Sequence, residues 1–279
     1  MTNNPSTPDT KTKLNKLKSI LSELGSILVA FSGGVDSSFL LKIAFDTLPS
    51  GKVAAVTATS PLRHPRELED AERLAEALGV EHIIIETDEL NNKEFAQNPP
   101  DRCFICKKMV FSELLELAQA CELNVVVDGS NASDLGDYRP GMKACLELGI
   151  RSPLLEAGLT KKEIRQLSRE FGLESWDRPA SPCLATRFPY GTHITADQIE
   201  TVRDAEDFLR ELGFGELRVR AHGSVARVEL SREDKELLMG EELARLVAHR
   251  FQELGFAYTA LDILGYRSGN MNKTLEQEE

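Results

Sequence analysis

The sequence predicts an α/β fold with a doubly wound parallel sheet, followed by a second, smaller α+β domain. Short apolar runs that suit strands buried on both faces alternate with helical patterns through the first part of the chain. A glycine-rich turn directly follows the first of these runs, and the alternation stops at an irregular segment, residues 175–192. Strands that alternate with helices indicate a parallel sheet with helices on both faces.

The elements of the first domain follow from hydrophobic periodicity. An amphipathic segment, Lys13–Leu24, precedes the first strand. Buried strands are expected at 26–31, 52–57, 82–86 and 124–128, and helices at 38–46, 65–78 and 107–121. Thr160 and Glu163 have the spacing of a capping box, so a further helix should begin there and end near Phe171.

An irregular segment rich in Pro, Ser, Arg and Gly should separate the two domains. We place the boundary inside it, so that the first domain covers 1–187 and the smaller α+β domain covers 188–279. In the second domain, helices are expected at 196–212 and 240–254, and strands at 216–220, 224–230 and 258–264.

Composition excludes several classes of protein. The 279 residues include 45 acidic and 33 basic side chains, and the formal charge of −12 disfavours binding to nucleic acid. No apolar stretch approaches the roughly 20 residues of a membrane span, and the polar start does not resemble a signal peptide, so we expect a cytoplasmic protein that binds no membrane. Five cysteines, an odd number, do not suggest a disulfide framework and suit metal binding or catalysis.

The strongest pattern is Ser32-Gly33-Gly34-Val35-Asp36-Ser37, between a buried strand and a helix. Glycines let backbone N–H groups turn toward an anion, and the helix N-terminus adds partial positive charge. Ser32 and Ser37 add hydroxyl donors, while the carboxylate of Asp36 is a hard oxygen ligand that suits Mg²⁺. The pattern predicts a cradle for pyrophosphate, and a serine-capped glycine turn is the structural alternative. The Walker motif would need a lysine that this loop lacks.

This string resembles the PP-loop signature of the adenylating ATP pyrophosphatases, whose fold is of the adenine nucleotide alpha hydrolase-like type. The resemblance implies that ATP is cleaved between its α- and β-phosphates. It also implies an adenosine contact at the end of the second strand, at Thr57, Thr59 and Ser60, for which a helix-capping turn is the alternative. Gly129, in a loop that ends the fourth strand, lies where open α/β sheets bind ligands, and a plain turn is the alternative there.

Three cysteines lie in segments suited to chemistry. Cys103 and Cys106 form a Cys-x-x-Cys in a loop that leads into a helix, beside basic residues that favour thiolates. Cys183 lies in an irregular segment flanked by arginines. Three thiolates could hold three irons of a [4Fe–4S] cluster and leave the fourth iron open to an extra sulfide. Zinc binding, redox exchange and packing are alternatives for the pair, and Cys121 and Cys145 are expected in the core.

Several motifs together resemble the LarE family of ATP-dependent sulfur transferases, which help to mature the nickel-pincer nucleotide cofactor of lactate racemase. Besides the loop, they are Asp128-Gly129-Ser130-Asn131, Asp137-Tyr138-Arg139-Pro140-Gly141, Arg151-Ser152-Pro153-Leu154 and Pro182-Cys183-Leu184-Ala185-Thr186-Arg187. The resemblance implies that a pyridinium carboxylate mononucleotide is adenylated with ATP, which releases pyrophosphate, and that a sulfur nucleophile then displaces AMP to leave a thiocarboxylate. It also implies a homo-oligomer.

The family delivers sulfur in two ways. Some members sacrifice the sulfur of one cysteine and leave dehydroalanine, and Cys183 matches that position; others use a three-cysteine cluster, which Cys103 and Cys106 fit. We expect the cluster, with direct donation by Cys183 as the alternative. The resemblance gives a substrate-phosphate role to Arg218 and Arg220, which should point to one face of a strand; a solvated edge-strand face is the alternative. Weaker candidates for substrate contact include Arg187 and Glu206.

Three other functions fit part of these patterns. A tRNA thiolase would share the loop and the cysteines, but the negative charge of the chain disfavours it. An amide-forming synthetase would share the loop but has no need for three placed thiols. An ATP-binding module without chemistry could use the cysteines to sense redox state or iron.

Overall fold

The structure, a computed structural model, describes residues 8–136, 140–179 and 181–267, and the chain divides into two compact units. The first unit comprises the described residues of 1–60, 64–89 and 101–181, and the second those of 61–63, 90–100 and 182–279. Residues 182–187 therefore group with the second unit. Asp137, Tyr138 and Arg139, part of one LarE-like motif, lie outside the described residues.

Four parallel strands form the sheet of the first unit, in the order β3-β2-β1-β4. They are β1 (Ile27–Ala30), β2 (Val53–Thr59), β3 (Glu81–Glu86) and β4 (Val125–Val127). The chain winds outward from β1 to β3 and then returns to the other side of β1. The switch between β1 and β4 is the place where open α/β sheets bind their ligands.

Helices, numbered along the whole chain, cover both faces of this sheet. Those of the first unit are α1 (Pro8–Leu24), α2 (Val35–Thr47), α3 (Pro65–Leu78), α5 (Arg102–Ala120), α6 (Pro140–Glu147), α7 (Pro153–Glu156) and α8 (Lys161–Glu170). Ile27 and Val29 of β1 belong to a core shared with α1, α2 and α8, whereas Leu28 belongs to a core shared with α5. This alternation confirms the doubly wound parallel sheet. None of the helices in the described part of the chain is long and apolar enough to cross a lipid bilayer.

The second unit has a small mixed sheet, which confirms the predicted α+β class. Its strands are β5 (Leu217–His222), β6 (Val225–Leu230) and β7 (Tyr258–Leu261); β6 is central, antiparallel to β5 and parallel to β7. Its helices are α4 (Lys93–Ala96), α9 (Ala196–Glu211), α10 (Arg232–Leu238) and α11 (Glu241–Glu253). Helix α10 was not predicted, although Ser231 caps it by accepting a hydrogen bond from the Asp234 N–H.

Two predictions about cysteines were wrong. Helix α5 begins at Arg102, with Asp101 as its N-cap, so Cys103 and Cys106 lie on the helix and not in a loop that leads into it. Cys121, expected in the core, is exposed and stands at the C-cap of the helix. Cys145 is buried, as predicted.

The predicted capping box is confirmed at the start of α8. Thr160 Oγ1 accepts from the Glu163 N–H, and the Glu163 carboxylate accepts from the Thr160 N–H. Glu163 also accepts from Lys13 Nζ of α1 at 2.9 Å. Although burial raises it, these hydrogen bonds lower the pKa of Glu163 to about 2. The Glu163 carboxylate thus caps α8 and also links α8 to α1 through the ion pair with Lys13.

Candidate functional site

The glycine-rich loop lies between β1 and α2, at the switch point of the sheet. Gly33 has a φ of +68°, and an added Cβ would lie 3.2 Å from the Ala71 backbone of α3, so only glycine fits without strain. The serine hydroxyls brace the turn: Ser32 Oγ and Ser37 Oγ are 3.1 Å apart, and the Ser32 N–H donates to Ser37 Oγ at 3.2 Å. Gly34 is the N-cap of α2 and has no side-chain acceptor, which leaves the helix terminus suited to an anion.

Asp36 lies in the first turn of α2 and is the acidic group of the loop. Its Oδ2 accepts from Lys161 Nζ, and its Oδ1 is buried with no hydrogen-bond partner among the described residues. Burial raises the pKa of Asp36, and the charge of Lys161 offsets this only in part. A buried carboxylate oxygen without a partner suits a hard cation, so the donor set fits the predicted Mg²⁺.

Two arginines outside the predicted site hold the loop in shape. Arg178 Nη1 donates to the Gly33 carbonyl at 2.8 Å, and its Nη2 lies 3.1 Å from Asp70 Oδ2. Arg165 of α8 donates to the carbonyls of Trp176 and Arg178, both at 2.8 Å. Sequence reasoning noticed Arg178 only as a neighbour of Cys183, because nothing local relates it to a loop so far back in the chain.

The loop after β4 packs directly against the start of α2. A Cβ on Gly129 would lie 3.1 Å from the Ser37 backbone nitrogen, so the close approach requires glycine. Beside it, buried Asp128 accepts from Lys107 Nζ at 3.1 Å and from Ser152 Oγ at 2.6 Å. Burial alone would raise the pKa of Asp128, but Lys107 and the hydroxyl donors lower it. Gly129 therefore lies directly against the start of α2, and the residue before it, Asp128, forms a buried ion pair with Lys107.

The polar residues at the end of β2 differ in their surroundings. Thr57 Oγ1 donates to the Phe31 carbonyl at 2.7 Å and lies 2.8 Å from His82 Nε2, so its hydroxyl is engaged inside the sheet. Burial lowers the pKa of His82. Thr59 and Ser60, two and three positions beyond Thr57, are only half-buried. They are better placed than the Thr57 hydroxyl for the predicted adenosine contact.

Cys103 and Cys106 lie one turn apart on the first turns of α5. Cys103 is exposed and Cys106 is half-buried. Cys106 Sγ lies 3.7 Å from Glu89 Oε1, which also accepts from Thr87 Oγ1 at 3.3 Å. Glu89 is 4% exposed and its Oε2 is buried without a hydrogen-bond partner in the part of the chain that the structure describes. Sequence reasoning missed this carboxylate, which lies in a short turn without a recognisable pattern.

In the second unit, a buried ion pair holds the backbone at Cys183. Arg187 Nη1 donates to the Pro182 carbonyl at 2.9 Å and to the Cys183 carbonyl at 3.4 Å. Its other nitrogens form a forked pair with Glu206, at 2.8 and 3.0 Å. Both side chains are at most 1% exposed. The contacts of Arg187 and Glu206 thus fix the segment that carries the thiol.

Arg218 and Arg220 are buried, which makes the solvated-face alternative wrong. Arg220 forms a forked pair with Glu229, at 2.7 and 3.0 Å, and donates to the Thr186 carbonyl at 2.7 Å. Arg218 lies over the Tyr266 ring, 5.0 Å from its centre, and burial lowers its pKa. Sequence reasoning missed Glu229, the carboxylate that pairs with Arg220.

The predicted residues divide between the two units. The first unit holds the glycine-rich loop, Thr57, Gly129, Cys103 and Cys106, and the second holds Cys183, Arg187, Glu206, Arg218 and Arg220. All five cysteines lie outside any disulfide. Within the described ranges, no three or more His, Cys, Asp or Glu side chains are grouped so that they could hold a metal ion.

Comparisons with known proteins give the family. The family model described as queuosine biosynthesis protein QueC matches residues 26–98. An uncharacterized protein of Synechocystis sp. is 44% identical over 266 residues, 95% of this chain and 98% of that protein. The pyridinium-3,5-bisthiocarboxylic acid mononucleotide synthase of Lactiplantibacillus plantarum is 42% identical over 270 residues, 96% of each chain. An uncharacterized protein of Methanocaldococcus jannaschii is 30% identical over 262 residues, 92% of this chain and 98% of that protein. The chain therefore belongs to the LarE family, and it is a PP-loop enzyme of the ATP-dependent sulfurtransferase class.

Proposed function

We propose that this protein adenylates the carboxylate of a pyridinium mononucleotide with ATP and converts it to a thiocarboxylate in the synthesis of the nickel-pincer nucleotide cofactor. A carboxylate oxygen attacks the α-phosphorus and pyrophosphate leaves; a sulfur nucleophile then attacks the acyl carbon and AMP leaves. Without this activation a carboxylate is too poor an electrophile. The observation that carries the proposal is the near-full-length similarity to a synthase named for a pyridinium bisthiocarboxylic acid mononucleotide.

The glycine-rich loop supports the ATP half of the reaction. The start of α2 has no side-chain cap, so its N–H groups and partial positive charge can bind the phosphates. Asp36 would hold Mg²⁺, which neutralises phosphate charge when bound. Ser32 and Ser37 keep the turn in the shape that exposes these groups.

Arg218 is the proposed contact for the phosphate of the substrate. Its guanidinium is buried against the Tyr266 ring, and the forked donors of a guanidinium match the geometry of a phosphate. Arg220 already has a carboxylate partner in Glu229 and supports the Thr186 carbonyl. We propose that Arg220 stabilises the conformation of the segment that carries Cys183.

Cys103, Cys106 and Cys183 are chemically suited to a [4Fe–4S] cluster. Two of these thiols lie one turn apart at the start of α5, where the helix dipole favours thiolates. When bound, the cluster would offer an iron site that carries an extra sulfide. Direct donation by Cys183 is the alternative. We place the reaction in the cytoplasm, where thiols stay reduced, and propose a homo-oligomer from the family resemblance.

The test measures iron, acid-labile sulfide and the ultraviolet-visible spectrum of anaerobically purified protein, with Cys103→Ala, Cys106→Ala and Cys183→Ala variants. Cys121→Ala, an exposed cysteine at the other end of α5, is the matched control. About four irons and four sulfides, lost in each of the three variants and kept in the control, would support the cluster. No iron even after reconstitution, with conversion of Cys183 to dehydroalanine during turnover, would establish direct donation. No substrate-dependent pyrophosphate release would refute the adenylation itself.

A further inference from the structure

The carboxylate of Glu89 and the thiol of Cys106 form a polar pair inside the first unit. Glu89 lies in the short turn after β3 and Cys106 lies on α5, so two separate elements bring the groups together. Glu89 Oε1 lies 3.7 Å from Cys106 Sγ, whereas Oε2 of the same carboxylate is buried and has no hydrogen-bond partner among the described residues. Burying a carboxylate oxygen without a partner costs free energy. A thiol hydrogen bond to Oε1 therefore explains only half of this carboxylate.

The separation of the sulfur and the oxygen is the one that a shared metal ion requires. Zinc binds a thiolate sulfur at about 2.3 Å and a carboxylate oxygen at about 2.0–2.2 Å, and in a tetrahedral site these lengths place the two ligand atoms about 3.5–3.7 Å apart. The Thr87 hydroxyl donates to Glu89 Oε1 at 3.3 Å, and hydrogen bonds of this kind commonly orient metal ligands. The pair can thus bind one ion without movement of the backbone at either residue.

We infer that Glu89 and Cys106 bind one divalent cation of intermediate softness, Zn²⁺ or Fe²⁺, in the protein that holds no iron–sulfur cluster. A thiolate beside a carboxylate favours such an ion over Mg²⁺ or Ca²⁺, which prefer oxygen ligands alone. The thiol gives its proton to water as the ion binds. Cys103 is exposed and lies three residues before Cys106 on α5, a spacing that places Cβ atoms about 5–6 Å apart, so rotation of its side chain supplies a third ligand. The inference does not rest on adenylation or sulfur transfer.

Anaerobic metal titrations of the cluster-free protein test this inference. Protein stripped with a chelator and desalted is titrated with Zn²⁺ in competition with a chromophoric chelator, using wild type, Glu89→Gln, Cys106→Ala and Cys183→Ala. Asp88→Asn is the matched control, because Asp88 is adjacent and exposed and its substitution removes the same formal charge. We expect Glu89→Gln and Cys106→Ala to lose at least about tenfold in affinity for Zn²⁺, and Asp88→Asn and Cys183→Ala to remain within about twofold of wild type.

Two further readouts separate metal ligands from residues that only support the fold. Co²⁺ added in place of Zn²⁺ should give a thiolate-to-metal charge-transfer band in wild type and not in Cys106→Ala. Zn²⁺ should also raise the melting temperature of wild type more than that of Glu89→Gln, since an ion stabilises the folded protein only where it binds it. Circular dichroism shows whether Glu89→Gln is folded, and Glu89→Met replaces it if it is not.

Two results would overturn the inference. One is an unchanged Zn²⁺ affinity in Glu89→Gln. The other is a loss in Cys183→Ala as large as that in Glu89→Gln, because zinc would then occupy the three-cysteine centre and not the pair. Neither result bears on substrate-dependent pyrophosphate release, which tests the proposed function separately.

Discussion

The ion pair between Arg187 and Glu206 makes a sharp prediction about the second unit. Glu206→Gln keeps the size of the side chain but removes the charge opposite a guanidinium that is 1% exposed. Breaking a fully buried pair costs about 3–5 kcal/mol, and the remaining amide oxygen can still accept one hydrogen bond, so we expect a loss of about 2–4 kcal/mol in the free energy of unfolding. Arg210, which lies 3.0 Å from Glu206, loses the same partner.

Urea unfolding of wild type and Glu206→Gln measures this loss. The matched control is Glu200→Gln on the same helix, where the side chain is 64% exposed and lies 3.4 Å from Arg203. An exposed pair of this kind should contribute at most about 0.5 kcal/mol. A loss below about 1 kcal/mol in Glu206→Gln would refute the view that the buried charge matters to the fold.

The same variant tests whether the pair fixes the Cys183 segment. Arg187 donates to the carbonyls of Pro182 and Cys183, so weakening its hold should lower the cost of local opening. We expect alkylation of Cys183 by iodoacetamide, followed by mass spectrometry, to be at least about tenfold faster in Glu206→Gln. An unchanged rate beside a large loss of stability would show that the pair stabilises the unit without positioning the thiol.

Three further predictions follow from single contacts. Gly129→Ala should weaken ATP binding by roughly tenfold, measured by calorimetry, because its methyl group would press on the start of α2; unchanged affinity would contradict this. Glu163→Gln should cost about 1–2 kcal/mol at pH 7 after allowance for its partial exposure. Because the folded pKa is lowered from 4.5 to about 2, the difference from wild type in thermal melts should shrink below about pH 4.5 and be lost only below about pH 2. Lys107→Met removes the cation that pairs with buried Asp128 and should lower the free energy of unfolding in urea by about 2–4 kcal/mol. The control Lys108→Met breaks an exposed ion pair with Glu147 and should lower it by at most about 0.5 kcal/mol. Equal losses in the two variants would refute the role of burial.

Strands β1, β2 and β4 could be predicted because buried parallel strands consist of continuous apolar residues. The strand predicted at 82–86 is present as β3, but the expectation that it is buried was wrong, because it lies at the edge of the sheet and Ile84 is 41% exposed. The predicted strand at 52–57 is observed as Val53–Thr59, and the helix predicted at 65–78 is observed as Pro65–Leu78. The start of α5 could not be predicted, because its first turn combines cysteines with basic residues and shows no hydrophobic periodicity. Asp101 stands at its N-cap without a side-chain hydrogen bond to the helix, whereas Thr160 and Glu163 form a complete capping box at the start of α8.

Contacts between distant segments could not be predicted at all. The loop Ser32–Ser37 has a local pattern, but nothing in the sequence near Lys161 or Arg178 relates them to it. Likewise Glu229 reaches Arg220 diagonally across the β5–β6 pair, where the direct partner of Arg220 in the register is Arg227. Single-sequence reasoning finds residues whose neighbours explain them, and it misses residues that only the tertiary fold brings together.

The second unit takes two short pieces from early in the chain, which has consequences for its synthesis. The Leu184 N–H donates to the Leu62 carbonyl at 2.8 Å, and Asn98 Nδ2 donates to the carbonyls of Phe188 and Pro189 at 3.2 and 2.7 Å. Because a ribosome adds residues at a limited rate, Asn98 is synthesised about 5–20 s before its partner Phe188, which lies 90 residues later in the chain. A gene fragment that begins at Pro182 would lack residues 61–63 and 90–100 of the second unit, so recombination at the apparent boundary would divide that unit.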